Sequence, residues 1–392
     1  MIKKYSFLVL FLLLALFQAM AQKSVAALEM DFNRVYTAKE RLQMLNRSLN
    51  NQSEDRNGAG HYYMAYTLEG VIQAWQATGR EDFLKDVQLV FDNLIASAKE
   101  LPAPAKGFQG WAVTAQDAPI GQPLYESYTW RHLCSFLRIM HQSPRLKKQH
   151  EAWFQKRLAW TEKNIWDKWA SLGQDRYQYR VNTYMTSHWA RIAMELYLIT
   201  EKDAYLQFFE NVSFKGHPAI KNNHLRNRLY DNVTVNPPAF NMYSNWETPS
   251  SPPDASHFAD LVSFWTTAAE NNMYWNQPPF DDDMQKLIST YFKVVHLPEK
   301  DLTQKSMMGA GFIDGTSDQN GIGPYDKASV SLGTHINLGR FDEAAQTIIE
   351  TYFTPTANIF NKPMLMGISL NNRKILTDGK PVYPENYSGT GK

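Results

Sequence analysis

The feature that most constrains this chain is a helical hairpin written three times. "YTLEGVIQAWQATGREDFLKDVQLVFDNL", "ARIAMELYLITEKDAYLQFFENV" and "VSLGTHINLGRFDEAAQTIIETYF" each run an apolar-periodic segment into a short charged turn and then into a second periodic segment. The turns are Gly79-Arg80-Glu81-Asp82, Glu201-Lys202-Asp203 and Gly339-Arg340-Phe341-Asp342. In each, an Asp stands where it can cap the second helix or favour its positive end. Two looser pairs lie at 125 to 170, around Ser143-Pro144, and at 255 to 296, around "NQPPFDDD", with a further helix at 31 to 50. A unit of this kind cannot bury its apolar face alone, so the units must stack on one another.

The two helices of a pair also differ. The first is apolar around most of its circumference, whereas the second carries a charged stripe, as in "REDFLKDVQLVFDNL" and "RLKKQHEAWFQKRLAW". That division predicts an inner and an outer layer, hence an all-α (α/α) toroid or barrel of about five to seven helical hairpins. The connections 101 to 124, 214 to 253 and 297 to 324 are long, and loops of that length are commonly functional. The stretch 357 to 392 shows no helical periodicity and reads as a short irregular or β C-terminal tail.

Composition narrows the function classes. With 392 residues, 44% of them hydrophobic, the chain can bury a large core. Forty basic against thirty-nine acidic residues give no global field to recruit nucleic acid or an anionic membrane. Residues 1 to 21, "MIKKYSFLVLFLLLALFQAMA", read as a signal peptide with a small-x-small cleavage site, which leaves residues 22 to 392 as a single barrel domain. The apolar run is shorter than the ~20 residues of a membrane span, so the expected location is secreted or periplasmic, in a Gram-negative bacterium. Cys134, the only cysteine, excludes an internal disulfide and a cysteine-based metal site, and its apolar neighbours mark it as a small hydrophobe. "DGTSDQNGIG" lacks the closing Glu of a calcium loop, and HExxH, GxSxG, Walker and dinucleotide signatures are missing, so neither metal nor cofactor is expected.

Polar residues gather where the first helices begin: "GHYYMAYTLEG", "YESYTWRHL", "VNTYMTSHWAR", "DASHFAD" and "PYDKASVS". In an (α/α) barrel these starts converge on one rim, and helix N-termini there favour an anionic ligand. Each start also admits a plainer reading, since Asn182, Asp254 and Ser256 are all N-cap types. Tyr184, His188, Arg191 and Glu195 share a helical face, where Arg191 and Glu195 could simply pair. The loop "NPPAFNMYSNWETPSSPPD" brings Tyr243, Asn245 and Trp246 just ahead of His257, an aromatic platform with an amide of the sort that binds sugars.

Taken together, "VNTYMTSHWARIAMELYLITEKDAYL", "WETPSSPPDASHFADLVSF" and "SLGTHINLGRFDEA" resemble secreted α/α-toroid proteins of polyuronate metabolism. The chain looks most like the alginate and glucuronan lyases of polysaccharide lyase family 38, with uronyl C5-epimerase-like domains as more distant relatives. The resemblance implies β-elimination on a 4-linked polyuronate, with an acidic polysaccharide or oligosaccharide as the partner. Such a step needs the carboxylate neutralised, a base for the C5 proton and an acid for the leaving oxygen. Carried onto this sequence, Asn182 and His257 neutralise the carboxylate, and Tyr243 serves as base and acid, with Tyr184 and Tyr325 as alternatives. Tyr128, Arg131, Tyr184, His188, Trp246 and Tyr325 bind substrate. The better-known alginate lyases place Asn and His adjacent, whereas Asn182 and His188 are six apart and diverge by about 120° on a helix, which moves the neutralising role to His257. Rival readings on the same barrel are a two-carboxylate glycoside hydrolase drawing on Glu126, Asp254, Asp260 and Asp326, a C5-epimerase, and a non-catalytic glycan-binding protein.

Overall fold

The computed structural model describes residues 22–49, 59–111, 120–274, 280–295, 308–309, 311–316, 323–324, 333–353 and 362–379. The expected signal segment, Tyr325 and Asp326 lie outside these residues. The fold is all-α. Its main helices are α1 (Val25–Val35), α2 (Ala38–Leu49), α3 (Ala59–Thr78), α4 (Glu81–Ser97), α5 (Pro123–His141), α6 (Glu151–Thr161), α7 (Thr183–Thr200), α8 (Asp203–Glu210), α9 (Ala255–Glu270), α10 (Phe280–Ser289), α11 (Glu343–Ile348) and α12 (Lys362–Asp378). A 3-10 segment, Gly333–Arg340, precedes α11, and a short antiparallel hairpin pairs Leu229–Asn232 with Ala239–Met242. Among the described residues no helix is long and apolar enough to cross a membrane.

Packing follows the two-layer split in the sequence. α3 packs on α5, α5 on α7, α7 on α9, α9 on the 3-10 segment, that segment on α12, and α12 back on α3. These inner elements bury nearly every side chain, including Trp75, Trp130, Trp189 and Trp265. α4, α8 and α11 cover their own hairpin partners, α1 covers α12, and α2 fits beside α3 and α4. Acidic residues sit at the starts of the covering helices as expected: Glu81 and Asp82 occupy the first turn of α4, and Asp342 caps α11 by accepting from Ala345 N at 2.7 Å.

Three expectations need correction. The segment read as one helix at 31 to 50 is two, α1 and α2, broken at Tyr36. The described part of the fifth inner element, Gly333–Arg340, is 3-10 rather than α-helical. Most consequentially, the supposed irregular tail contains α12. Its polar residues hid it, because they are buried too: Asn371 donates to Gln73 and Gln76, Asn372 to Ile336 O and Gln346, and Arg373 pairs with Glu350. A helix buried on all sides, with polar groups satisfied inside, has no amphipathic stripe to read.

The contact of α12 with α3 is backbone against backbone. A Cβ on Gly367 would stand 2.1 Å from the Gly70 carbonyl oxygen, and one on Gly70 would stand 2.2 Å from that of Pro363. Only glycine at both crossing points lets these helices approach so closely.

Candidate functional site

The starts of α3, α5, α7 and α9 are in contact. Tyr62 stacks on Tyr128, with centroids 4.3 Å apart; Tyr128 meets His188 edge-on at 5.1 Å; and Tyr184 stacks on His257 at 4.0 Å and 28°. The hydroxyl of Tyr128 donates to Tyr66, and that of Tyr66 to Tyr62, at 3.1 and 2.9 Å.

Beneath these rings lies a buried ionic floor. Arg131 Nη2 donates to Asp260 Oδ1 at 2.8 Å, and His188 Nε2 stands 3.3 Å from the other oxygen, Oδ2. All three side chains are almost fully buried. Burial works against the Asp260 carboxylate, but Arg131 and His188 override it and hold its pKa well below the ordinary range. Burial together with Arg131 pulls His188 down to about 4, so this imidazole is neutral near pH 7. Two of the predicted substrate-binding groups, Arg131 and His188, are thus committed to Asp260. Tyr128, only 4% exposed, belongs to the same floor.

His257 differs in kind. It opens α9, where Asp254 is the N-cap, and its side chain is 42% exposed. Asp254 Oδ1 accepts from His257 N at 3.1 Å and from Ser256 Oγ, while Oδ2 contacts His257 Nδ1. Burial alone would lower the imidazole pKa, but the Asp254 carboxylate outweighs it and holds His257 above its usual value. The same contacts, set against burial, bring Asp254 down to about 2. Tyr184, stacked on one face of the imidazole, is raised as well: burial and the Asp260 charge push it up to about 12. An imidazole made more basic therefore stacks on a phenol held protonated.

Asn182 occupies the N-cap position of α7, yet its side chain makes no capping bond. Its backbone forms an isolated antiparallel bridge with Asn245, and Ser244 O accepts from Thr183 N at 3.1 Å. The long loop therefore docks on the start of α7 through the backbone of Ser244 and Asn245. Tyr243 is turned into the hairpin instead, its ring tilted 36° against Tyr230 at 4.7 Å with the Arg228 guanidinium 4.4 Å over it. This corrects the preferred tyrosine: Tyr184, not Tyr243, lies against His257. Trp246 is corrected as well. It is 5% exposed and its Nε1 donates to Arg180 O at 2.6 Å, so it pins the loop and offers no open stacking face.

Sequence reasoning passed over Arg180. Its guanidinium is half-buried close to Tyr184; among the described residues its Nε has no hydrogen-bond partner, and Nη2 donates to Met185 Sδ at 3.9 Å. Among the described residues it has no carboxylate partner, and burial lowers its pKa. Of the carboxylates named for a hydrolase, the three that are described are by contrast in use: Glu126 takes Lys168 Nζ at 2.7 Å on both oxygens, Asp260 takes Arg131, and Asp254 caps α9. Among the described residues no group of three or more His, Cys, Asp and Glu side chains is arranged to hold a metal ion. Comparison with protein-family models, with curated proteins and with solved structures finds no match.

Proposed function

We propose that the chain is a polysaccharide lyase that cleaves a 4-linked polyuronate, alginate or glucuronan, by β-elimination, and that the cycle of inner helices is the (α/α) toroid that carries it. The observation that bears most weight is the stack of His257 on Tyr184 beside the unpaired Arg180 and the uncapping Asn182. An imidazole made more basic and a phenol kept protonated, next to a cation with no acidic partner among the described residues, match the three requirements of the reaction.

In this scheme Arg180 and the Asn182 amide receive the uronate carboxylate and withdraw charge as the C5 carbanion character develops. His257 takes the C5 proton on Nε2. The C5–H pair becomes the C4=C5 double bond, the C4–O4 bond breaks, and Tyr184 protonates the departing oxygen. Proton return from His257 to Tyr184 through solvent restores both groups. This divides between two residues the roles that the resemblance assigns to one tyrosine, because a phenol raised to about 12 stays protonated near neutrality, where it has a proton to give and no phenolate to take one.

Incubation of the full chain with a panel of polyuronates tests the reading. Unsaturated, ultraviolet-absorbing products from wild type, lost in His257→Ala, are the expected result. Reducing ends without unsaturation make the protein a hydrolase, and full activity in the variant removes His257 from the chemistry.

A further inference from the structure

We infer that Asp254 is a positioning residue as well as a cap: one carboxylate closes the start of α9 and also orients the His257 imidazole, leaving Nε2 as the nitrogen that faces a ligand. The inference rests on the proposed role of His257 as base. An N-cap needs a single acceptor, and Oδ1 fills that need by taking the His257 N–H at 3.1 Å. The second oxygen, Oδ2, is spent on His257 Nδ1. A carboxylate there fixes the ring proton on Nδ1, since the bond made by one imidazole nitrogen sets the state of the other. Capping alone leaves that second contact unexplained.

The surroundings make the arrangement rigid. Asp254 is held by an antiparallel bridge to Phe312, and Ala255 N donates to Gly311 O at 2.8 Å. Tyr184 closes one face of the imidazole. The other acidic and imidazole groups described near the ring are already engaged. Asp260, a turn further along α9, belongs to Arg131 and His188. His335, on the 3-10 segment, is bonded through Nε2 to Ala255 O at 2.7 Å and brought down to about 4, chiefly by burial. Asp314, on the segment that bridges Asp254, accepts from Thr316 N and Oγ1. Arg180, beside Tyr184, carries the only nearby cation without an acidic partner among the described residues. Asp254 is therefore the group that sets the state of His257.

Two variants separate the roles, because Asn and Ser both keep a capping acceptor. Nitrogen-15 spectra of the full chain, with the His257 signals assigned by their loss in His257→Gln, report titration and tautomer directly. In wild type the Nδ1-protonated form dominates. Asp254→Asn, whose capping oxygen leaves an amide donor against Nδ1, and Asp254→Ser, with no second group there, both lower the His257 midpoint by about one pH unit and shift the tautomer toward Nε2–H, with the thermal midpoint nearly unchanged. On a cleaved polyuronate the acid limb of kcat moves to lower pH with the midpoint in Asp254→Asn, and kcat falls about 10-fold or more while KM holds. Identical His257 midpoints and tautomers in wild type and both variants overturn the inference. If the spectra change as expected but no polyuronate is cleaved, Asp254 keeps its role and the lyase reading fails.

Discussion

Under the proposed mechanism, Tyr184 and Arg180 are the single residues on which the chemistry turns. Because Tyr184 is held protonated against His257, Tyr184→Phe removes the acid without disturbing the stack, and kcat is expected to fall by about 10²- to 10⁴-fold with KM little altered. Tyr243→Phe, in the hairpin against Tyr230, is expected to keep activity close to wild type, and steady-state kinetics on the two variants checks both statements. Arg180→Ala is expected to raise KM more than it lowers kcat, since it removes a charge-assisted contact to a carboxylate already present in the ground state. Asn182, Tyr184 and His257 were legible in the sequence because they sit at helix starts with apolar runs behind them. Arg180 was not, because it precedes the helix in a segment without period, and an arginine lacking a carboxylate cannot be recognised until the fold shows which acids are taken. Tyr243 was favoured for its closeness to His257 along the chain, which the loop's backbone docking made irrelevant to where its ring points.

Among the elements, the α3–α12 crossing is the most sensitive joint. Gly367→Ala forces a methyl into the Gly70 carbonyl, where backbone rather than a mobile side chain must yield. A loss of about 1–3 kcal/mol is expected, visible as a lower denaturation midpoint with an unchanged slope, whereas an unchanged midpoint would show that the helices can move apart freely. The hairpin repeats were readable because their covering helices keep a solvent face. α12 escaped notice for the opposite reason: Asn371, Asn372 and Arg373 are buried and bonded, so the signal that marks an amphipathic helix was cancelled by the packing of α12 on α3 and the 3-10 segment.

Across the whole molecule, buried neutral histidines set the response to acid. His61 is lowered to about 3, and His188 and His335 to about 4, each chiefly by burial. Folded values below the unfolded one near 6.5 mean that the unfolded chain binds more protons in this range. Stability is therefore complete above about pH 6.5 and is lost as pH falls toward the folded values, by on the order of 1 kcal/mol per pH unit for each histidine. The partly exposed His257–Asp254 pair contributes little of either sign. Urea midpoints at successive pH values are expected to drop between neutrality and pH 5, before carboxylates titrate; a midpoint constant down to about pH 4.5 would contradict the burial of these side chains.

The central claim is that His257 removes a C5 proton and that the C4–O4 bond breaks with it. Its most direct measurement is nuclear magnetic resonance of the products formed from a polyuronate incubated with the full chain in deuterium oxide. The predicted spectrum shows a C4=C5 unsaturated uronate at the new non-reducing end, absent with His257→Ala. Saturated new ends, or deuterium at C5 of an uncut chain, would contradict it.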